Sequence, residues 1–274
     1  MQSGNIRNIC ITGHKGFVGT AVKKELEKNH NVFGFDLPEN DFTMERDIED
    51  FIDLYKIDTI VHIGAVAGLK HCMEFPDEAV KANIYGTALL LECAKKFNLK
   101  FLHTSTWAVN GHLKHPYDIT KNIAENLVGM YQSVYNVDTM ILRLATMYGP
   151  KMRPNGVIWA FLQKSLKGEE ITIQGSGNQF RQFLYVDDAA KAYAKALENW
   201  KSGRTFEIQY PKTISIKDIA KTVYPDMKKV KFVNARKGDE SSFYVSPYEA
   251  EQELDWKAEI TFKEGIEKLK NEIS

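Results

Sequence analysis

The segment Thr12-Gly13-His14-Lys15-Gly16-Phe17-Val18-Gly19 restricts this chain more than any other. It follows a short apolar run, Ile6 to Thr12, and opens a stretch with helical spacing at Val18, Val22 and Leu26. Glycines spaced Gly-x-x-Gly-x-x-Gly at a strand-to-helix junction meet three needs. One permits a sharp turn, one lets backbone approach a pyrophosphate, and one lets the helix pack closely on the strand. The helix then aims its free N–H groups at the phosphates. Gly13, Gly16 and Gly19, with Lys15, Phe17 and Val18 between them, are the candidate dinucleotide contacts. Asp36 closes the next strand-like segment, Val32 to Phe35, 23 residues after Gly13. A carboxylate there accepts hydrogen bonds from an adenosine ribose and repels a 2′-phosphate, so NAD is expected rather than NADP.

The first half keeps alternating. Helix patterns cover Ile48 to Tyr55, Pro76 to Phe97 and Tyr117 to Tyr135, and strand patterns cover Thr59 to Ala65, Lys100 to Thr106 and Thr139 to Ala145. Strands that alternate with helices form a parallel sheet covered on both faces, and doubly buried strands read as continuous apolar runs. The expected fold class is α/β, a Rossmann-type doubly wound parallel sheet with a smaller C-terminal α/β substrate lobe. Residues 1–150 form the NAD-binding domain in this reading. Past Gly149-Pro150 the pattern turns irregular: short strands (Ile171 to Ile173, Thr205 to Ile208, Lys231 to Val233) mix with helices near 155–167, 187–199, 215–223 and 262–271. Residues 151–181 and 210–274 are assigned to the lobe, and 182–209 to a return into the first domain.

Charge and composition narrow the function. Lys and Arg number 36, as do Asp and Glu, which argues against nucleic-acid or membrane binding through bulk charge. No apolar run approaches the ~18 to 20 residues of a membrane span. Met1-Gln2-Ser3-Gly4-Asn5 lacks the charged and apolar regions of a signal peptide. Three widely spread cysteines, Cys10, Cys72 and Cys93, fit a reducing compartment, and a cytoplasmic location is expected. His103, His112 and His115 form no ligand set of suitable spacing, so no metal is expected.

Tyr117 and Lys121 stand one helical turn apart, on the same face of their helix. A free tyrosine has a pKa near 10, too high for a good base at neutral pH. A nearby ammonium favours the phenolate, as does the positive nicotinamide of NAD. Thr106 ends the preceding strand in Thr104-Ser105-Thr106, where a hydroxyl can hold the substrate oxygen while Tyr117 takes its proton.

With the glycine loop, Tyr117-x-x-x-Lys121 and the segment after Gly149 in view, the chain resembles the extended short-chain dehydrogenase/reductases. More narrowly, it resembles the NAD-dependent epimerase/dehydratase family that acts on nucleotide sugars. His62-Ile63-Gly64-Ala65-Val66-Ala67 is similar to the family's cofactor-lining strand, which implies roles for Ile63, Gly64 and Ala65. Asp47-Ile48 resembles its adenine-contacting pair, and Asn83-Ile84-Tyr85-Gly86-Thr87 its helix motif Asn-Val-x-Gly-Thr, with Asn83 and Thr104 on the cofactor side. Arg143 with Tyr148-Gly149-Pro150 is similar to Arg-x-x-Asn-x-Tyr-Gly-Pro, and Thr146 stands at the Asn position, which contacts substrate in the family. Gln179 to Asp188 and Arg236-Lys237-Gly238-Asp239 resemble segments whose arginines reach the nucleotide diphosphate, here Arg181 and Arg236. A guanidinium fork suits phosphate oxygens, though either arginine also suits a surface ion pair. The family's Ser/Thr position falls on Thr106, with Ser105 next, and Lys121 is implied to hold the nicotinamide ribose.

Two departures bear on function. The family's 4,6-dehydratases place Asp-Glu directly after the catalytic threonine, whereas this chain has Trp107-Ala108, which transfer no protons. That argues against a dehydratase. Only the ten residues 107–116 separate Thr106 from Tyr117, so the loop over the substrate is short. The reading is an NAD-dependent nucleotide-sugar epimerase acting at C4, the position being implied by resemblance alone. A one-way NAD-dependent dehydrogenase or reductase is the runner-up. A catalytically silent NAD-sensing or scaffold protein is the rival class, and the intact Tyr-Lys pair counts against it. Helices 76–97 and 117–135 form a homodimer's four-helix bundle in the family, which implies a homodimer here; core packing is the other reading of the same apolar faces.

Overall fold

The structure is a computed structural model and describes residues 6–111, 113–154, 156–224, 226–234 and 243–273. Apolar runs at the expected places form β1 (Asn8–Thr12), β2 (Asn31–Phe35), β3 (Thr59–His62), β4 (Lys100–Thr106) and β5 (Thr139–Leu144). Shorter strands follow: β6 (Thr146–Tyr148), β7 (Ile171–Gln174), β8 (Phe180–Arg181), β9 (Phe183–Tyr185), β10 (Thr205–Ile208), β11 (Ile214–Ser215) and β12 (Val230–Val233). Among the described residues the main sheet has six strands in the order β10-β5-β4-β3-β1-β2. Every pairing in it is parallel, with Cys10 opposite both Phe33 and Ile60, and Leu102 opposite Met140. From β1 the chain moves outward to β2, then crosses to β3 on the other side. The carboxyl ends of β1 and β3 therefore bound the crevice that opens where strand order reverses.

Helices cover both faces. In chain order they are α1 (Phe17–Leu26), α2 (Glu45–Tyr55), α3 (Leu69–Glu74), α4 (Pro76–Val80), α5 (Thr87–Phe97), α6 (Pro116–Tyr135), α7 (Val157–Leu166), α8 (Val186–Glu198), α9 (Ile216–Val223), α10 (Tyr248–Glu253) and α11 (Phe262–Ile273). Alternation along β1 sorts the core: Ile9 and Ile11 face α1 and α8 through Val22, Leu26 and Tyr193, while Cys10 faces α2, α5 and α6 through Phe51, Leu91 and Val128. The third core joins α7, α9 and α11 through Phe161, Ile219 and Ile266.

Two features depart from the sequence expectation. The pattern from Pro76 to Phe97 is interrupted by a π-helical turn, Lys81–Gly86, between α4 and α5. Ala250, Leu254 and Trp256, placed by sequence in the second lobe, pack instead into the core of the main sheet. Asp188 draws that segment in: its Oδ2 accepts the N–H groups of Glu259 and Ile260 at 2.9 and 2.7 Å, and its carbonyl accepts Trp256 Nε1 at 2.9 Å. Within 182–209, α8 packs on α1 and β10 pairs with β5. Among the described residues no helix is long and apolar enough to cross a membrane.

The tightest junction is the first strand-to-helix turn. A Cβ at Gly19 would lie 2.1 Å from the Gly13 carbonyl oxygen, a backbone atom that cannot swing away. Gly19→Ala should cost about 1–3 kcal/mol in urea unfolding. Gly129→Ala on exposed α6, where nothing lies within 4 Å of the new atom, is the control and should be neutral or stabilising by up to about 1 kcal/mol.

Candidate active site

A cleft of about 1780 Å³ opens along the carboxyl ends of β1, β3 and β4. Gly13, Gly16, Phe17, Val18 and Gly19 line one end. Gly13 has φ 71°, and a Cβ on it would lie 2.6 Å from Gly64 Cα, so the two loops touch backbone to backbone. Gly16 precedes α1 without a side-chain cap, which leaves the first-turn N–H groups to other acceptors. Asp36 sits at the rim of the same end, its Oδ2 taking Lys15 N–H and its Oδ1 taking Leu37 N–H, each at 3.0 Å. The Lys15 ammonium turns outward to the Leu37 carbonyl at 2.8 Å and to Glu39, so only its backbone serves the loop.

A chain of hydrogen bonds ties this loop to the helix carrying Tyr117. Gly64 N–H donates to Thr12 Oγ1 at 3.1 Å, and Thr12 lies 2.7 Å from His62 Nδ1. His62 Nε2 lies 3.0 Å from Thr87 Oγ1, whose hydroxyl donates to the Asn83 carbonyl at 2.7 Å. Because that hydroxyl is already donating, His62 donates from Nε2 and accepts at Nδ1 as a neutral ring. Burial holds its pKa well below 6.5, and the Lys121 charge adds to this. Asn83, 1% exposed, accepts Val66 N–H at 2.9 Å and donates to Thr120 Oγ1 at 3.0 Å, which itself donates to the Tyr117 carbonyl at 3.0 Å. Asn83 thus lies behind the cleft wall, as a brace between the loop after β3 and α6.

The expected adenine end also differs in detail. Ile48 is buried in the core, and Asp47 accepts Asp41 N–H at 3.3 Å. Asp41, Phe42 and Thr43 line the cleft in their place. Phe42 owes its seat to two missing side chains: a Cβ on Gly64 or Gly86 would lie 2.7 or 2.6 Å from its ring. Both glycines stand in the quoted motifs, but neither pattern points to Phe42.

Thr104, Ser105, Thr106, Tyr117 and Lys121 line the middle of the cleft with Ile63, Gly64 and Ala65. Thr104 is bonded to Tyr193 at 2.6 Å. Thr106 Oγ1 accepts Ala108 N–H at 3.3 Å, which leaves its own proton to donate. Ser105 is 3% exposed, and its Oγ has no hydrogen-bond partner among the described residues. Lys121, also 3% exposed, donates to His103 Nε2 at 3.2 Å, and burial lowers its pKa to about 7. Tyr117 is half-buried. Burial first, then the charges of Asp118 and Cys72, push its phenol up to about 12, with Arg153 opposing. The sequence predicts a phenol lowered by Lys121; in the structure burial raises it instead, and the charge that opposes the rise is that of Arg153. The glycine cradle, the uncapped start of α1, Asp36 and the orphaned Ser105 hydroxyl fit an extended dinucleotide along this floor.

Thr146 and Arg181 line the far end, Arg181 on β8 paired to Ile214. Arg236 lies outside the described residues. Arg143 turns away from the cleft: its Nε and Nη2 clasp Glu125 at 3.0 and 2.6 Å, and its Nη1 reaches Asn110 at 2.7 Å and Glu207 at 3.3 Å. Arg153, which no motif singled out, also lines the cleft.

The NAD dependent epimerase/dehydratase family pattern matches residues 9–209. A putative UDP-glucose 4-epimerase of Methanocaldococcus jannaschii is 30% identical over 299 residues, spanning 96% of this chain and 97% of the relative. A dTDP-glucose 4,6-dehydratase of Salmonella typhimurium is 25% identical over 329 residues, spanning 95% and 91%. The UDP-glucose 4-epimerase of Thermotoga maritima, solved with UDP-glucose, is 26% identical with a TM-score of 0.88, covering 97% of this chain and 98% of that one. Since the match runs from β1 through β10 and the likeness spans both lobes, this chain belongs to the NAD-dependent epimerase/dehydratase family of the extended short-chain dehydrogenase/reductases.

Proposed function

We propose that this enzyme inverts C4 of a nucleotide-linked sugar. One observation carries the reading. Thr106, Tyr117 and Lys121 share a cleft wall on which Trp107 and Ala108, and no carboxylate, follow the threonine. Relatives of similar rank are called 4-epimerase and 4,6-dehydratase. Elimination of water needs an acid and a base beside the sugar, and neither indole nor methyl provides one. Reversible oxidation needs only the hydroxyl, the phenol and the lysine.

In this mechanism the free proton of Thr106 is donated to the sugar oxygen and holds it towards Tyr117. Tyr117 takes the hydroxyl proton and returns it at the end of the cycle. NAD, when bound along the glycine cradle, would supply reversible hydride acceptance. Lys121, fixed by His103, holds a ribose hydroxyl and stabilises the phenolate when protonated. Arg181, with Arg236, anchors the diphosphate. The apolar residues exposed on α6, Ile119, Ile123, Met130 and Val134, support a homodimer built on that face.

Incubation with NAD and UDP-glucose or another UDP-hexose, followed by NMR, should show the C4 epimer accumulate to equilibrium without net NADH. Tyr117→Phe should lower turnover by about 10²–10⁴-fold with NAD binding held within a few-fold. Wild-type rates in that variant would sink the mechanism.

Lys121 also predicts a pH-dependent stability. Its folded pKa of about 7 lies below the ordinary lysine value, so the folded state binds fewer protons between the two. The cost of burying it is greatest below about pH 7 and fades as pH rises towards 10. Lys121→Met should therefore raise Tm most at pH 6, and calorimetry should show the gain shrinking at pH 9.5.

A further inference from the structure

Arg153 stands in the turn between β6 and α7, exposed to the cleft it lines. Among the described residues it makes no ion pair and no hydrogen bond. Its position is nonetheless defined. Gly68 has φ 135°, and a Cβ there would lie 2.8 Å from Arg153 Nη1, so the guanidinium rests over the loop that leaves β3. From that seat its charge acts on the Tyr117 phenol and the Cys72 thiol. It belongs to the reacting end of the cleft, whereas Arg181 enters from the smaller lobe.

Among the described residues no carboxylate pairs with it; Glu78 lines the same cleft but is bonded to His71. The two positions after Thr106 are Trp107 and Ala108. Asp118 lies nearby, but burial raises its carboxyl pKa and the charge opposing that rise belongs to His115. A guanidinium offers a planar fork of donors matched to a carboxylate. We propose that Arg153 receives a carboxylate carried by the substrate, which makes the substrate a nucleotide-linked hexuronate. The inference rests on the epimerase reading of this site. In a hexuronate the carboxyl carbon is joined to C4 through a single ring carbon, so an anion at Arg153 brings C4 towards Tyr117. The pairing also has an electrostatic benefit. An unpaired carboxylate beside the phenol would oppose its ionisation, and the guanidinium cancels that effect.

A diphosphate is the other anion a nucleotide sugar carries, and comparing two sugars separates the two. Calorimetric binding of UDP-glucuronate and UDP-glucose to the NAD-loaded Tyr117→Phe protein removes turnover from the measurement. UDP-glucuronate should bind on the order of tenfold more tightly, the strength of one charge-assisted forked contact. Adding Arg153→Gln should abolish that preference while UDP-glucose affinity holds within about twofold, and Arg153→Lys should retain part of it. An equal loss for both sugars would assign Arg153 to the diphosphate and overturn the proposal. A wild-type-like preference in Arg153→Gln, or no preference before substitution, would overturn it as well. Turnover of the wild type is read separately. If the preference and its loss hold while neither sugar is epimerised, the carboxylate site stands and the C4-epimerase reading falls.

Discussion

The structure depends on one buried neutral histidine. His62 lies between Thr12 on β1 and Thr87 on α5, and through Asn83 and Thr120 the bonding continues to the carbonyl of Tyr117. Each partner already has its role, so a second proton on the ring would leave two donors facing each other at Thr12. Burial prevents that by holding the imidazole pKa well below 6.5. A buried polar chain of this kind stabilises only when every member is satisfied. Here it fixes the distance between the phosphate loop, the β3 loop and the helix bearing the phenol. These are the parts that must share one dinucleotide and one sugar, and the π-helical turn at Lys81–Gly86 is what brings Asn83 inward to join them.

Sequence made the first half legible because its constraints are local. Glycines at a strand-to-helix junction, the continuous apolar run of β1 and the one-turn spacing of Tyr117 and Lys121 each need only a few neighbouring residues. The long-range parts were not legible. Phe42 reaches the cleft because two glycines distant in sequence both make room for one ring. Asn83 carries the family's motif, yet its amide is fully occupied behind the wall, which only the positions of Val66 and Thr120 reveal. Trp256 and Leu254 joined the first core through Asp188, whose partners lie some seventy residues further along the chain. Arg153 belongs to no pattern and depends on the open backbone of Gly68.

Arg143 shows how a recognisable residue can hold the scaffold rather than the ligand. Its guanidinium is satisfied by Glu125, Glu207 and Asn110, joining α6, β10 and the turn after β4. Breaking such a pair from one side leaves an uncompensated charge, so the cluster specifies how α6 sits on the sheet. Since α6 carries Tyr117 and Lys121, a network that meets the cleft only at Asn110 still sets where the phenol points.

Burial acts on that phenol and its lysine in opposite senses. It raises Tyr117 to about 12 and lowers Lys121 to about 7, because each charged form loses water. Alone, the phenol does not ionise near neutrality, while the lysine is close to its own midpoint there. Together they differ, since a phenolate and an ammonium in one low-dielectric site attract each other more strongly than they would in water. The proton balance of the site therefore belongs to the pair. His103 takes part by accepting from Lys121 through Nε2 while remaining neutral itself, so it steers the ammonium without competing for its proton. A site built this way resists the phenolate in isolation and favours it once positive charge stands beside it, which is the property a reversible oxidation requires of its base.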